Sequence, residues 1–366
     1  MVADCADYRE LFVQDTPLLD VRAPVEFVKG AFPNATNIPL LDDLQREMIG
    51  KRYKDAGQDE AVRLGLELAT DEIRAQRLDA WRLFCEANPA GFLYCFRGGL
   101  RSRTAQQWLA QQGIDYPLVQ GGFKSMRRFL IDELEESARN LRLVCVSGLT
   151  GVGKTRVLKQ TRHHIDLEGL ANHRGSAFGR DVLDRQPTAI DWENRVSIEL
   201  LKHRQAFPGR ALLVEDEGRR LGRIGVPNSL YELMLKAPRA ILTVDTETRI
   251  RLISEDYIVH SWPQFQRVHG VAAETEFSRY VLDNLTRIQK RLGGERYQLV
   301  RSSFEAGLRD FFASGDVSSF NPGIRILLEQ YYDPMYLYQI QRKKPEILFE
   351  GPESEFLQWA EAYCAD

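Results

Sequence analysis

The sequence lacks the features that mark secreted or membrane-spanning proteins. Its five cysteines are scattered and form no Cys-x-x-Cys pair, which argues against a disulfide framework and against a zinc site. No apolar run reaches the roughly 18 residues that a membrane span requires, so we expect no membrane association. The segment from Met1 to Asp15 carries acids and lacks the basic-then-apolar pattern of a signal peptide. We therefore expect a cytoplasmic protein.

Strong charge of one sign is also missing. The net charge is only −3, with 43% apolar and 28% charged residues among 366, which is typical of an ordinary globular enzyme. This length allows two or three domains. The chain as a whole therefore shows no preference for a polyanion. Among several local basic clusters, two adjoin the motifs described below: Arg97, Arg101 and Arg103, and Arg219, Arg220 and Arg223.

The pattern along the chain predicts an α/β protein with three parts. Short apolar runs alternate with helix-like segments over residues 1–130, as in an open α/β domain. A charged linker helix is predicted over residues 131–140. Strands of buried type followed by acids predict a parallel-sheet domain over residues 141–245. The spacing is helical and amphipathic over residues 246–366, and we expect this region to pack on the sheet domain.

One cysteine lies where a strand gives way to a helix. Cys95 follows a short apolar run and precedes Gly98 and Gly99. Backbone N–H groups and the helix dipole stabilise a thiolate in such a position, and two nearby arginines add positive charge. The predicted catalytic residues are Cys95, Arg97 and Arg101. The plain alternative is a small buried apolar side chain, which we expect for Cys85 and Cys145.

The spacing of this loop leaves two chemistries open. Cys95 and Arg101 form a Cys-x5-Arg pattern, which is the phosphate loop of cysteine-dependent phosphatases. Tyr94 stands where such enzymes commonly have a histidine. A loop that carries sulfur or selenium on the cysteine is the other interpretation.

Two earlier stretches resemble the rhodanese family. Leu19-Asp-Val-Arg-Ala-Pro-Val-Glu26-Phe is similar to its Asp-x-Arg…Glu-[Phe/Tyr] stretch, and the segment from Gly30 to Pro39 is similar to the stretch that ends in Asn-Ile-Pro. The resemblance implies a domain that carries sulfur or selenium on the loop cysteine. The commonest rhodanese loop is one residue shorter before its arginine than the loop after Cys95.

A second loop has the complete GxxxxGK[ST] pattern. The run Gly148-Leu-Thr-Gly-Val-Gly-Lys-Thr155 follows a strand and opens a helix, which is the context that a phosphate loop requires. Its amides cradle phosphate oxygens, the lysine neutralises them, and the threonine can bind Mg²⁺. The predicted phosphate-binding or diphosphate-binding residues are Gly148, Thr150, Gly151, Gly153, Lys154 and Thr155.

Acids after the next buried strand are candidates to hold that Mg²⁺ together with Thr155. Glu215, Asp216 and Glu217 are consecutive, and the sequence does not decide among them. We expect Glu215 or Asp216 to serve, while a solvated strand end is the plain alternative.

The segment from Asp166 to Gly179 concentrates polar, cationic and small residues, as a loop at a binding site does. The arginines near residue 220 could form a second basic surface at the edge of this binding site. The predicted substrate or tRNA contacts are Asn172, His173, Arg174, Ser176, Arg219 and Arg223.

The order of these motifs resembles the bacterial tRNA 2-selenouridine synthase family. The most specific pieces are Cys95-Phe-Arg-Gly-Gly-Leu-Arg-Ser102, Gly121-Gly-Phe-Lys124, the phosphate loop, and the run from Asp166 to Gly179. The family's cysteine loop has the longer Cys-x-Arg-Gly-Gly-x-Arg-Ser form, which accounts for the departure from plain rhodaneses.

The resemblance implies a two-step reaction at the wobble uridine of tRNA. The sulfur of 2-thiouridine first receives a geranyl group from geranyl diphosphate, and selenium from selenophosphate then replaces the S-geranyl group. It implies that the phosphate loop holds the diphosphate and that Cys95 serves in selenium transfer. It also implies the anticodon arm of a tRNA as partner, with a selenophosphate-producing enzyme as a further one.

Two alternatives belong to other classes. One is an ATP-dependent or GTP-dependent sulfurtransferase, and the other is a Cys-x5-Arg phosphatase with a regulatory nucleotide-binding domain.

Overall fold

The chain forms two units, and it passes between them three times. The computed structural model describes residues 4–173 and 186–365. The first unit comprises Met1–Ser137 and Thr188–Gln205, and the second comprises Ala138–Pro187 and Ala206–Asp366. The helix before residue 141 therefore belongs mainly to the first unit, and so does a helix from the middle of the chain.

The secondary structure follows in chain order. Up to residue 140 the elements are α1 (Tyr8–Val13), β1 (Leu18–Asp20), α2 (Pro24–Phe27), β2 (Ala35–Asn37), α3 (Asp43–Leu68), α4 (Asp71–Ala87), β3 (Phe92–Tyr94), α5 (Leu100–Gln111) and α6 (Gly122–Asn140). The central elements are β4 (Leu143–Ser147), α7 (Lys154–Leu158), β5 (His164–Ile165), α8 (Leu167–Leu170), α9 (Ala189–Ala206), β6 (Leu212–Glu215), β7 (Arg220–Leu221), β8 (Ile224–Gly225), α10 (Asn228–Lys236) and β9 (Arg239–Leu242). The last elements are α11 (Thr246–Ser254), α12 (Trp262–His269), α13 (Ala273–Leu292), α14 (Gly294–Ser314), α15 (Asn321–Leu327), α16 (Asp333–Lys343), β10 (Ile347–Gly351) and α17 (Glu353–Ala365), with π-helical turns at Glu255–Val259 and Leu328–Tyr332 and 3₁₀ turns at Gly270–Ala272 and Ser318–Phe320.

The first unit is built on a parallel sheet with the strand order β2-β1-β3. Helix α6 buries Met126 and Leu130 on one face. Helix α9 joins this unit through polar contacts: the Asn194 amide donates to the Ala31 carbonyl at 2.8 Å, and Asp191 accepts from the Ala31 amide at 2.6 Å. These contacts, together with the packing of Ile198 and Leu201 in one core with Met126 and Leu130, hold residues 188–205 with the N-terminal part of the chain.

A buried ion pair connects the strands of this sheet. The Arg22 guanidinium donates to both carboxylate oxygens of Asp20, at 2.7 to 3.0 Å, and also to the Gly30 carbonyl at 2.8 Å. The Tyr94 hydroxyl donates to Asp20 at 2.7 Å. Arg22 also lies over the Phe123 ring, 3.9 Å from its centroid. The Asp-x-Arg stretch that resembles rhodaneses therefore links β1, β3 and the start of α6.

The second unit is built on a five-stranded sheet with the order β10-β9-β4-β6-β5, and all its pairs are parallel. Strand β4 lies at its centre, and all five of its residues are buried. Because the ends of parallel strands meet at one edge, the loops after β4 and β6 lie together. The predicted α/β class with a parallel sheet is confirmed.

The spacing predicts a helical C-terminal region, but the structure has a strand within it. Residues Ile347–Gly351 form β10, which pairs with β9 at the edge of the sheet. The helix before it ends at Lys343, the next residue Lys344 has a left-handed backbone with φ of 44°, and Pro345 cannot continue the helix. The apolar residues after this break suit a strand. Helices α11 to α15 form a core around Phe277, Leu285 and Phe320, while α17 packs Phe356 and Ala360 with the sheet.

Within residues 4–173 and 186–365, no helix combines the length and the apolar character that crossing a membrane would need.

Replacing Asp20 with Asn should destabilise the first unit. The change leaves the Arg22 guanidinium buried without a counter-charge, which costs about 3–5 kcal/mol when one partner of a buried pair is removed. Asp132→Asn is the matched control, since it breaks an exposed pair with Arg128 and should cost no more than about 1 kcal/mol. Urea unfolding followed by circular dichroism measures both. Equal losses in the two variants would contradict a structural role for the pair.

Candidate active site

The cysteine loop is shaped by close backbone contacts. It connects β3 to α5, and the amides of Phe123 and Lys124 donate to the carbonyls of Cys95 and Phe96, each at 2.9 Å. Gly122 has φ of 57°, and a Cβ there would lie 2.3 Å from the Cys95 carbonyl oxygen. The Gly121-Gly122 pair is therefore required because α6 begins directly against the loop.

The Cys95 side chain is buried, at 3% exposure. Its Sγ lies 3.3 Å from the Ser102 hydroxyl, which in turn donates to the Gly99 carbonyl at 3.0 Å. Ser102 lies in the first turn of α5 and is fully buried. The hydroxyl is thus a fixed polar neighbour of the thiol, at the helix end that favours a negative charge.

The two predicted arginines have different environments. Arg97 is exposed, whereas Arg101 donates to the Glu26 carboxylate at 2.5 and 3.1 Å. Burial acts to raise the pKa of the Glu26 carboxyl, but the hydrogen bond and charge of Arg101, with Arg46, lower it below its ordinary value. The charge of Arg101 is therefore balanced, and Arg97 is left as the exposed cation of the loop.

The phosphate loop has the backbone that its glycines predict. It follows β4, and Gly151 and Gly153 have φ of 84° and 78°, values that favour glycine. Lys154 lies across the loop and donates to the Gly148 carbonyl at 3.3 Å. Thr155, in the first turn of α7, donates to Glu215 and lies 3.4 Å from Glu168.

Strand geometry separates the consecutive acids after β6. Glu215 reaches Thr155, whereas the Asp216 carboxylate accepts from Ser147 at 2.6 Å and from Arg239 at 3.2 Å. Successive residues of an extended chain face opposite sides, and the Glu217 carboxylate lies on the side of Glu215. Of the two acids proposed for the metal, Glu215 lies with the phosphate loop and Asp216 is committed to other contacts.

A third carboxylate completes a cluster at this edge. Glu168, Glu215 and Glu217 each offer an oxygen within 4.8 Å of one another. Burial raises the pKa of the Glu215 carboxyl to about 8, and the charge of Glu168 adds to the shift. The same two causes raise the pKa of Glu217 well above its ordinary value.

The donor set of this cluster fits Mg²⁺. Glu215 is 1% exposed, and its Oε2 has no hydrogen-bond partner among the described residues. Magnesium prefers oxygen ligands, and carboxylates beside a phosphate are its usual protein ligands. A cation at this place would remove the repulsion among the three carboxylates.

The predicted substrate contacts lie on two adjoining segments. Gln186 donates to the carbonyls of Ala171 and Leu221, at 3.4 and 2.9 Å, and accepts from the Arg223 amide at 2.9 Å. It thereby joins the β7–β8 hairpin to the segment that includes Ala171, Asn172 and His173. Arg223 is exposed on the hairpin.

The structure describes only one of the three remaining predicted substrate contacts. Arg219 is exposed before the hairpin and donates to Asn228 at 2.9 Å. Arg174 and Ser176 lie outside the described residues.

Comparison with known proteins decides the family. A family model described as the tRNA 2-selenouridine synthase AAA domain matches residues 141–366. A protein of Marinobacter nauticus named tRNA 2-selenouridine synthase is 47% identical over 98% of this chain and 97% of its own length. Proteins with the same name from Alcanivorax borkumensis and Verminephrobacter eiseniae are 47% and 45% identical, over 96% and 100% of this chain and 97% and 100% of their own lengths.

The chain belongs to the tRNA 2-selenouridine synthase family. The resemblance stated from the motifs is thereby confirmed, together with the expectation of an enzyme of the transferase class. The rhodanese-like character of the first unit stays a prediction.

Sequence reasoning missed three contributors to the second unit's site. Glu168 belongs to a segment that was singled out, and its place beside Asp166 was the available signal. Gln186 and Arg249 carry no motif. The Arg249 guanidinium donates to the Thr150 carbonyl at 2.9 Å and to both Asp333 oxygens at 2.6 and 2.9 Å, a contact that spans distant parts of the chain.

Mg²⁺ should raise the thermal unfolding temperature of the protein, and Glu215→Gln should abolish this rise. At a free concentration of 100 times Kd, a bound ion stabilises by about 2.7 kcal/mol, which is roughly 5–10 °C for a unit of about 200 residues. Differential scanning calorimetry at pH 8 measures it. Without the metal, Glu215→Gln should unfold no earlier than the unchanged protein, because it removes a buried like charge. Glu361→Gln, on an exposed face of α17, is the control that should keep the full response.

Proposed function

We propose that this protein makes 2-selenouridine in tRNA. The observation that carries the proposal is its similarity, over nearly its whole length, to proteins named tRNA 2-selenouridine synthase. Two observations on the site support it. The cysteine loop is braced around Cys95, and the phosphate loop lies beside a carboxylate cluster, so each of the two chemistries has a built site.

The first proposed step is alkylation of a 2-thiouridine. The thiocarbonyl sulfur forms a bond to C1 of geranyl diphosphate, the C1–O bond breaks with its electrons going to the diphosphate, and N3 of the base loses its proton. Lys154 and the loop amides stabilise the departing diphosphate. Mg²⁺ held by Glu168, Glu215 and Glu217, with Thr155, would neutralise further negative charge on it.

In the second proposed step the selenium of selenophosphate bonds to C2 of the base, the C2–S bond breaks and geranylthiol leaves, and water takes up the phosphoryl group as the P–Se bond breaks. Alkylation makes the sulfur a better leaving group, which is the physical reason for two steps. Cys95 serves in selenium transfer, supported by its position at the N-terminus of α5 and its contact with Ser102. Arg97 is the exposed cation available to an anionic selenium donor, while Arg101 holds Glu26.

The proposed nucleic-acid partner is the anticodon arm of a tRNA bearing 2-thiouridine. Basic side chains contact phosphates, and the target base must leave its stack to reach a site. The residues proposed for this contact are Asn172, His173, Arg174, Ser176, Arg219 and Arg223. A tRNA substrate and a selenophosphate-producing partner both imply work in the cytoplasm.

Cys95→Ala should abolish selenation and leave geranylation intact, because alkylation needs only the diphosphate site. Nucleoside analysis of tRNA from a strain lacking the gene and expressing each variant measures both products. Cys85→Ala is the matched control, since Cys85 is buried in the same core as Cys95 and should retain both steps. Loss of both products in a folded Cys95→Ala protein would contradict the division of labour. Unchanged 2-selenouridine in the deletion strain would overturn the function itself.

Lys154→Ala should weaken binding of inorganic pyrophosphate by about 10-fold to 100-fold. Hydrogen bonds to charged groups contribute about 1.5–3 kcal/mol, and each 1.4 kcal/mol is about tenfold in Kd. Calorimetric titration measures the affinity. Lys159→Ala is the control, since Lys159 lies at the end of the same helix and pairs with Asp166 at 2.9 Å. Unchanged affinity in Lys154→Ala would place the diphosphate elsewhere, and ATP or GTP turnover at about 1 s⁻¹ or faster would favour a nucleotide enzyme.

A further inference from the structure

An apolar pocket adjoins the phosphate loop of the second unit at Thr150. It encloses about 60 Å³ and widens toward an open mouth. Seven of its wall residues are buried, among them Val281, Phe304 and Phe320, while Tyr257 and Tyr332 are only partly buried. Among the described residues that line it, none is charged.

The pocket and the phosphate loop share atoms and neighbours. Thr150 of the loop is part of the pocket wall. Ile253, another wall residue, lies so close to the loop that a Cβ on Gly151 would be 2.7 Å from its Cδ1. Arg249, one turn before Ile253, holds the Thr150 carbonyl at 2.9 Å. A ligand bound to the loop therefore has the pocket within immediate reach.

The chemistry of the two neighbouring surfaces defines the ligand. The loop offers amides and a lysine to phosphate oxygens, while the pocket offers hydrocarbon and aromatic rings. A nucleoside would bring a ribose and a base whose polar groups need hydrogen-bond partners, and this wall supplies few. A molecule with a diphosphate at one end and a hydrocarbon chain at the other satisfies both surfaces.

We propose that the pocket binds the hydrocarbon chain of a prenyl diphosphate, and that its buried wall residues, Val281, Phe304 and Phe320 among them, limit the chain length. The inference rests on the proposed function of the phosphate loop and names the part of the protein that recognises the rest of the donor. The chain enters past Thr150, with its C1 at the loop and its tail toward Phe320.

The same arrangement suits the transfer step. When the C1–O bond breaks, the electron pair goes to the diphosphate and positive charge develops on the allylic carbons until the sulfur bonds to C1. Apolar walls keep water from this centre, and aromatic rings such as those of Tyr257 and Tyr332 stabilise a nearby cation. The proton lost by the base passes to solvent, so the step needs no further reactant.

Calorimetric titration of the full chain with inorganic pyrophosphate and with five-, ten- and fifteen-carbon prenyl diphosphates tests the proposal. The ten-carbon compound should bind at least about tenfold more tightly than pyrophosphate, because burying apolar surface adds affinity. Val281→Phe fills the pocket and should remove this gain while pyrophosphate binding changes by less than about twofold.

Phe304→Leu enlarges the pocket at a buried wall residue and should shift the preference toward the fifteen-carbon chain. Phe277→Leu is its matched control, since Phe277 is buried in the same helical core without lining the pocket, and it should keep the preference of the unchanged protein. Because Phe304→Leu is a conservative change, it decides the question even if Val281→Phe fails to fold.

Equal affinity for pyrophosphate and the ten-carbon compound, or an equal loss of both in Val281→Phe, would overturn the proposal. So would an unchanged chain preference in Phe304→Leu. Failure of the proposed function gives different results: pyrophosphate fails to bind at all, or the prenyl compounds bind as expected while tRNA is not alkylated.

Discussion

The buried ion pair between Arg249 and Asp333 is the contact on which the second unit's site depends. Arg249 is 2% exposed, and a buried guanidinium is stable only when its charge and its donors are satisfied. Asp333 takes two of its hydrogen bonds, and the Thr150 carbonyl takes a third. The backbone of the phosphate loop is thereby tied to α11 and to the start of α16. Helix α11 and the π-helical turn before Asp333 also line the apolar pocket, through Ile253 and Tyr332, so the pair supports both the anion site and part of the wall beside it.

The parallel sheet supplies the other constraint on this site. Strands β4 and β6 are neighbours and end at the same edge, which brings Thr155 to Glu215. Successive side chains of an extended segment point to opposite sides. Glu215 and Glu217 therefore lie on one side, in the carboxylate cluster, and Asp216 lies on the other. The raised pKa of Glu215 is the electrostatic consequence of burying acids together, and it marks a place where a cation or the positive end of another group belongs.

In the first unit, close backbone contacts determine the shape of the cysteine loop. Gly122 and Gly98 lie so close to neighbouring backbone that a Cβ at either would come within 2.7 Å of it, which lets α6 brace the cysteine loop. The Asp20–Arg22 pair supports the strands that lead into that loop. Cys95 is consequently held beside Ser102 by backbone contacts more than by the side chains that sequence reasoning emphasised, and Arg101 serves to hold Glu26.

The sequence by itself determined the local chemistry. The GxxxxGK[ST] run, the glycines around Cys95 and the order of the motifs were enough for the α/β class, the phosphate loop and the family, because these features depend on residues close together in the chain. The acids after β6 were also visible, and strand alternation could have separated Glu215 from Asp216. Only the tertiary structure decided the rest. Arg249 meets Thr150 across 99 residues, β10 completes the sheet from the far end of the chain, and the pocket forms where several amphipathic helices meet. Helical periodicity shows that a helix has an apolar face, but which faces meet, and what space they leave, depends on the packing of all of them together.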